Sequence, residues 1–234
     1  MELTIKNLTK VYGDRTVLDI PQQTISSGEI IGLVGNNGAG KTTILRLMLD
    51  LIKADSGEVC SNGNAVNEDT QWKTYTGSYI DKRFLIPFYT PEEFFHFIAK
   101  LYHINQEELG NRLEEYRQMM HDEILGTGKQ IRHFSEGNQQ KIGIIAAMMI
   151  NPTVLILDEP FNYLDPSSQI IVAKLIKEMN ERLATTVIVS SHNLAYITDV
   201  ATRILLLEKG KIIKDVPNKN GSALDELTDY FAST

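Results

Sequence analysis

The chain is poor in cysteine: Cys60 is the only one among 234 residues. No internal disulfide can form, and this predicts a protein of a reducing compartment, with a cytosolic location fitting best. Aromatic residues are 8% of the chain, so a local cluster of them stands out. Long apolar runs are missing. The longest, Ile142 to Ile150, is about half of what a membrane-spanning helix needs. Met1 to Lys6 lacks the basic and apolar regions of a secretory leader, so none is expected. Positive charge is outnumbered, 23 Lys and Arg against 30 Asp and Glu, for a net charge of -7. That balance argues against a general nucleic-acid-binding surface, and no nucleic-acid partner is expected. Repeats and low-complexity tracts are absent. With 42% apolar and 23% charged residues, the length suits one globular domain.

The segments that are present alternate between two patterns. Glu2 to Leu8 places Leu3 and Ile5 on one face and predicts a strand. Glu29 to Val34, Val154 to Leu157, Thr186 to Val189 and Ile204 to Leu207 are short apolar runs, as buried strands require. Thr42 to Leu51, Pro91 to Tyr102, Glu107 to His121, Gln139 to Ile150 and Ser167 to Leu183 predict helices. The last carries one apolar stripe, Val172, Leu175, Ile176, Met179 and Leu183. Buried strands alternating with helices predict an α/β fold with a mainly parallel sheet. The expected division is an α/β core over about 1–83 and 151–214, an inserted helical lobe over about 84–150, and a short tail over 215–234. Phe94, Phe97, Ile98 and Leu101 are expected to form the core stripe of the first lobe helix.

Two segments carry recognisable phosphate chemistry. Gly35-Asn36-Asn37-Gly38-Ala39-Gly40-Lys41-Thr42-Thr43 follows a buried strand and opens a helix, which is the Walker A pattern. Its glycines let backbone N–H groups surround phosphate oxygens, and the helix end adds a positive dipole. Lys41 supplies a mobile charge to the β- and γ-phosphates, and Thr42 offers a hydroxyl to Mg²⁺. Lys41 is expected to be exposed in the loop. The run Val154 to Leu157 leads into Asp158-Glu159, a Walker B pattern. Asp158, at the carboxyl end of a buried strand, suits Mg²⁺, and Glu159 suits the base that orients water.

With these motifs in order, the chain resembles the nucleotide-binding subunit of an ATP-binding cassette (ABC) transporter from Leu3 to about Lys214. The resemblance implies a P-loop core with an N-terminal antiparallel β subdomain, Mg-dependent ATP hydrolysis, and a dimer, homomeric or heteromeric, that sandwiches two Mg-ATP. It implies a separate integral-membrane partner and a place at the inner face of the cell membrane. Export is favoured over import. Phe134-Ser135-Glu136-Gly137-Asn138 resembles the family signature, usually Leu-Ser-Gly-Gly-Gln, and Ser135 and Gly137 match. In the family this segment meets the γ-phosphate bound to the opposite subunit. Asn162 to Asp165 resembles the D-loop, although Asp165 before Pro166 is also a good helix N-cap. His192 matches the switch histidine, and Tyr12 falls where an aromatic stacks on adenine.

Two positions depart from the pattern. Asp81 stands where the family has a glutamine that meets the metal and the attacking water, and Glu136 replaces a glycine of the signature. Two readings of these charges stand side by side: the acid points away from the phosphate, or its charge weakens a closed, ATP-bound dimer. An acidic residue at the first position leans toward peptide-antibiotic export subunits. The alternatives are a soluble cassette ATPase that remodels a nucleoprotein and a weakly active regulatory module. The first normally needs a second cassette or a coiled-coil insertion; the second fits poorly with intact Lys41, Glu159 and His192. The aromatic run Phe84-Leu85-Ile86-Pro87-Phe88-Tyr89 belongs to no nucleotide motif. At least two of its five non-proline residues are expected to be exposed, at the place where similar subunits receive a short helix of the membrane subunit.

Overall fold

A computed structural model describes residues 2–219 and 221–232. Met1, Asn220, Ser233 and Thr234, which the sequence reading puts in the core and the tail, lie outside the described residues. The first half carries β1 (Leu3–Tyr12), β2 (Arg15–Ile25), β3 (Ile30–Val34), α1 (Lys41–Met48), β4 (Ser56–Ser61), β5 (Asn64–Ala65) and β6 (Thr76–Tyr79). Helices α2 (Pro91–Leu101), α3 (Gln106–Glu115), α4 (Arg117–Met120) and α5 (Glu136–Met148) follow. The chain then forms β7 (Val154–Leu157), α6 (Pro166–Leu183), β8 (Thr186–Ser191), α7 (Leu194–Val200), β9 (Arg203–Glu208), β10 (Lys211–Pro217) and α8 (Leu224–Ala232).

Two sheets result. An antiparallel sheet has the order β2-β1-β4-β5, and a six-stranded sheet has the order β10-β9-β3-β8-β7-β6. In the larger sheet only the β9–β10 pair is antiparallel. Period-two alternation in its central strands decides the layering. Ile30 and Val34 of β3, Leu155 and Leu157 of β7, and Val187 and Val189 of β8 face one core, shared with α2 to α7. Ile31 and Leu33, Val154 and Ile156, and Ile188 face a second core, shared with α1 and the antiparallel sheet. Both faces are covered, which is why these strands read as unbroken apolar runs.

Four sequence expectations shift. Tyr12 is the last residue of β1 rather than a loop residue beyond it. Helix α1 ends at Met48, and Leu51 is exposed. Helix α5 starts at Glu136 because the Ser135 hydroxyl accepts from the Asn138 backbone N–H at 3.2 Å and caps it. The core stripe of α2 is rotated: Phe94, Phe95 and Ala99 are buried, whereas Phe97 is 38% and Leu101 58% exposed. Phe97 packs edge-on against Tyr89, with ring centroids 6.2 Å apart. An apolar-rich helix offers two overlapping stripes at this spacing, and docking of α2 on its neighbours selects one.

Candidate active site

Parallel register assembles the site. Val34 pairs with Ser191, Leu33 with Ser190, and Leu157 with Val189. The loop after β3, Asp158 after β7, and the end of β8 with His192 therefore meet at one edge, the carboxyl end of the strands. Gly40, the N-cap of α1, has φ +111°, a conformation an L side chain adopts only under strain, so the turn into the helix depends on glycine.

Lys41 is buried, not exposed as expected, at 7%. Its ammonium donates to the Gly35 carbonyl at 2.7 Å and lies 3.6 Å from Glu159 Oε1. A cation without water must find acceptors, and the loop carbonyl and the Glu159 carboxylate provide them. Thr42 Oγ1 donates to Asp158 Oδ2 at 2.6 Å, and Ser190 Oγ donates to the other Asp158 oxygen. Burial pushes the Asp158 carboxyl up from its usual range, partly offset by those two hydroxyls. A buried carboxylate beside a hydroxyl is a hard-oxygen pair that fits Mg²⁺, an ion held by one or two carboxylates together with water and phosphate oxygens.

Glu159 is pinned on both sides of its backbone. Its N–H donates to Ser190 Oγ at 2.8 Å, and its carbonyl accepts from Gln140 Nε2 at 3.1 Å. The left-handed conformation this imposes, φ 47°, is uncommon for a side-chain-bearing residue and aims the carboxylate. Glu159 Oε2 sits 2.8 Å from His192 Nδ1 and accepts from the His192 N–H at 3.3 Å. Ser190 and Gln140 were not singled out in the sequence. The available signal was a hydroxyl closing an otherwise apolar strand, Thr186 to Val189.

The other predicted residues do not bond to Lys41, Thr42 or Asp158 through these contacts, and each has its own partners. Gly137 packs so close to the D-loop that a Cβ there would lie 2.6 Å from the Tyr163 carbonyl oxygen. Asp165 caps α6, accepting from the Ser168 N–H at 3.0 Å and from the hydroxyls of Ser167 and Ser168. Those hydroxyls hold its carboxyl well below the usual range. Asp81 lines a cleft of about 210 Å³ together with Asp158, Glu159 and Glu136. Its oxygens, however, are bonded to Arg83 rather than to Thr42 or Asp158, and that guanidinium lowers its carboxyl. Tyr12 is half exposed, with the Lys10 ammonium 5.3 Å from its ring centroid.

A sequence profile of the family described as "ABC transporter" matches residues 18–162, more than half of the chain. The chain belongs to the ABC transporter family. This ABC cassette is 33% identical over 212 residues to the uncharacterized ABC transporter ATP-binding protein MJ1023 of Methanocaldococcus jannaschii, covering 91% of this chain and 76% of that one. It is 30% identical over 234 residues to the probable sulfate/thiosulfate import ATP-binding protein CysA of Chlorella vulgaris, covering 100% and 96%. Its structure superposes on the dimeric bacterial ABC transporter cassette MJ0796 with a TM-score of 0.83 at 25% identity, covering 93% and 99%. The same cassette has been solved as a post-hydrolysis dimer bound to ADP and Pi, with a TM-score of 0.82.

The raised Asp158 pKa carries a stability consequence. A carboxyl whose folded pKa exceeds its unfolded value favours the fold below the unfolded pKa, and that contribution is lost as pH rises through the folded pKa. At neutral pH the charged Asp158 is therefore a cost to this ABC cassette. Asp158→Asn is expected to raise nucleotide-free stability at pH 7, while depressing ATP turnover. A urea titration at pH 7 showing equal or lower stability would contradict this account of the burial.

Proposed function

We propose that this chain binds Mg-ATP on the 35–43 loop and hydrolyses it as one half of a dimer that drives a separate integral-membrane subunit. The supporting observation is the convergence of Lys41, Thr42, Asp158, Glu159 and His192 at one sheet edge. Gly35, Asn36, Asn37, Gly38, Ala39, Gly40 and Thr43 build the loop whose N–H groups and helix end receive the phosphates. Thr42 and Asp158 would hold Mg²⁺, which when bound would neutralise phosphate charge. Lys41 pairs with the β- and γ-phosphates, Glu159 takes the proton of the attacking water, and His192 is held by Glu159 to meet the γ-phosphate. Tyr12 supplies the adenine platform.

Ser135 and Gly137 stand at the N-terminus of α5, whose dipole and N–H groups suit an anion. The Ser135 hydroxyl is bonded within its own helix, and Gly137 packs against the D-loop. Such a helix end serves the nucleotide of a second chain, the same or related. The subunit then works in the cytoplasm at the inner face of the membrane. The similarity to a protein named for import supports the shared transport role; Asp81 tilts the direction toward export. ATP turnover by the purified protein, lost in the variants treated below, tests the enzyme reading.

Phe84, Phe88 and Tyr89 are 55%, 61% and 36% exposed, while Leu85 is buried. Three exposed aromatics on one short segment form a surface for the membrane subunit. Phe84→Ser with Phe88→Asp is expected to reduce co-purification with that subunit from membranes by at least about tenfold, through the loss of two aromatic anchors for the partner, and to spare basal ATPase. Recovery of the partner at the parental yield would assign the docking surface elsewhere.

A further inference from the structure

The two acidic residues that depart from the family pattern are linked through one helical turn, which Asp81 caps and whose Lys82 pairs with Glu136. Asp81 caps a single helical turn at Lys82–Phe84: Oδ1 accepts from the Arg83 N–H at 2.9 Å, and Oδ2 accepts from Arg83 Nη2 at 2.8 Å. That turn presents Lys82, whose ammonium donates to the carboxylate of Glu136. Glu136 is the first residue of α5, directly after Ser135. All three side chains line the cleft that also contains Asp158 and Glu159.

A carboxylate in the first turn of a helix is drawn to the same free N–H groups that hold an anion. Unpaired, Glu136 would compete for those groups and repel a phosphate. Exposed ion pairs contribute little to folding stability, and both partners here are 52% exposed. Fold maintenance therefore does not account for the pair. Its bond to Glu136 is also the main reason Lys82 holds its proton more firmly than an ordinary lysine.

We infer that Lys82 is a positioning residue that neutralises Glu136 and keeps its carboxylate off the N-terminus of α5, so that this helix end accepts the partner nucleotide's phosphate despite carrying an acid. Asp81 belongs to the same device because it holds the turn that presents Lys82. The two acidic departures are then compensated parts and not separate defects. The inference rests on the proposed role of Ser135 and the α5 terminus.

The test is ATP-driven dimerisation in the hydrolysis-deficient Glu159→Gln background, followed by light scattering over an ATP titration. Lys82→Met is expected to raise the ATP concentration for half-maximal dimer about fivefold, the effect of one uncompensated charge at short range. Adding Glu136→Gln to Lys82→Met is expected to restore the parental midpoint, and Lys82→Arg is expected to retain it. The Lys82→Met deficit should shrink as salt rises, which a purely structural loss would not do. A Lys82→Met midpoint equal to the parent's, or a double variant as weak as Lys82→Met alone, overturns the inference and leaves the Ser135 reading standing. A parent that forms no ATP-dependent dimer overturns both.

Discussion

Glu159→Gln retains ATP binding and loses turnover by about a hundredfold or more, the range expected when a general base is removed. The amide keeps the shape of the carboxylate and can still accept from the His192 backbone N–H, but it cannot take a proton. The backbone around it is held by Ser190 and Gln140, so the substitution leaves the aim of the side chain unchanged. Loss of the charge next to Lys41 also frees that ammonium for phosphate, and ATP affinity is expected to hold or rise. Single-turnover hydrolysis and nucleotide titration on the same preparation separate the two effects. Turnover within tenfold of the parent would remove Glu159 from the role of base, since that is less than general-base catalysis normally contributes.

Lys41→Ala is the second large effect. ATP affinity is expected to fall by about a hundredfold, the upper end of what a charge-assisted hydrogen bond contributes. The consequence for the fold differs from what an exposed lysine would imply. Lys41 is buried, and its removal takes away the ammonium beside Glu159. A stability loss of about 1–3 kcal/mol is expected for leaving buried polar groups without their partner. Lys41→Arg, which keeps the charge, should recover much of that stability. Calorimetric titration well below the melting midpoint reads affinity apart from folding. An unchanged ATP affinity in Lys41→Ala would place the phosphates elsewhere.

Local sequence was enough for the nucleotide motifs because the chemistry of each is carried by contiguous residues. Gly35 to Thr43 and Asp158-Glu159 each sit at the end of an apolar run, so each motif is marked by its immediate sequence neighbours. The parallel α/β fold was legible for the same reason: strands covered on both faces must be apolar throughout, as β3, β7 and β8 are. The irregular conformation at 84–89 was legible because Pro87 and Pro91 disfavour a continuous helix there.

Contacts between distant segments carried no such local mark. Burial of Lys41 depends on Glu159, more than a hundred positions away. The pinning of Glu159 depends on Ser190 and Gln140, from two other elements. The face that α2 buries could not be read from spacing because Phe94, Phe95, Phe97, Ile98 and Leu101 satisfy more than one helical stripe, and only docking removes that degeneracy. The pairing of Lys82 with Glu136, 54 positions apart, had no local mark either. An ion pair between distant segments has no sequence period: its two charges meet only when the sheet and the helices packed on it bring their carriers to the same edge.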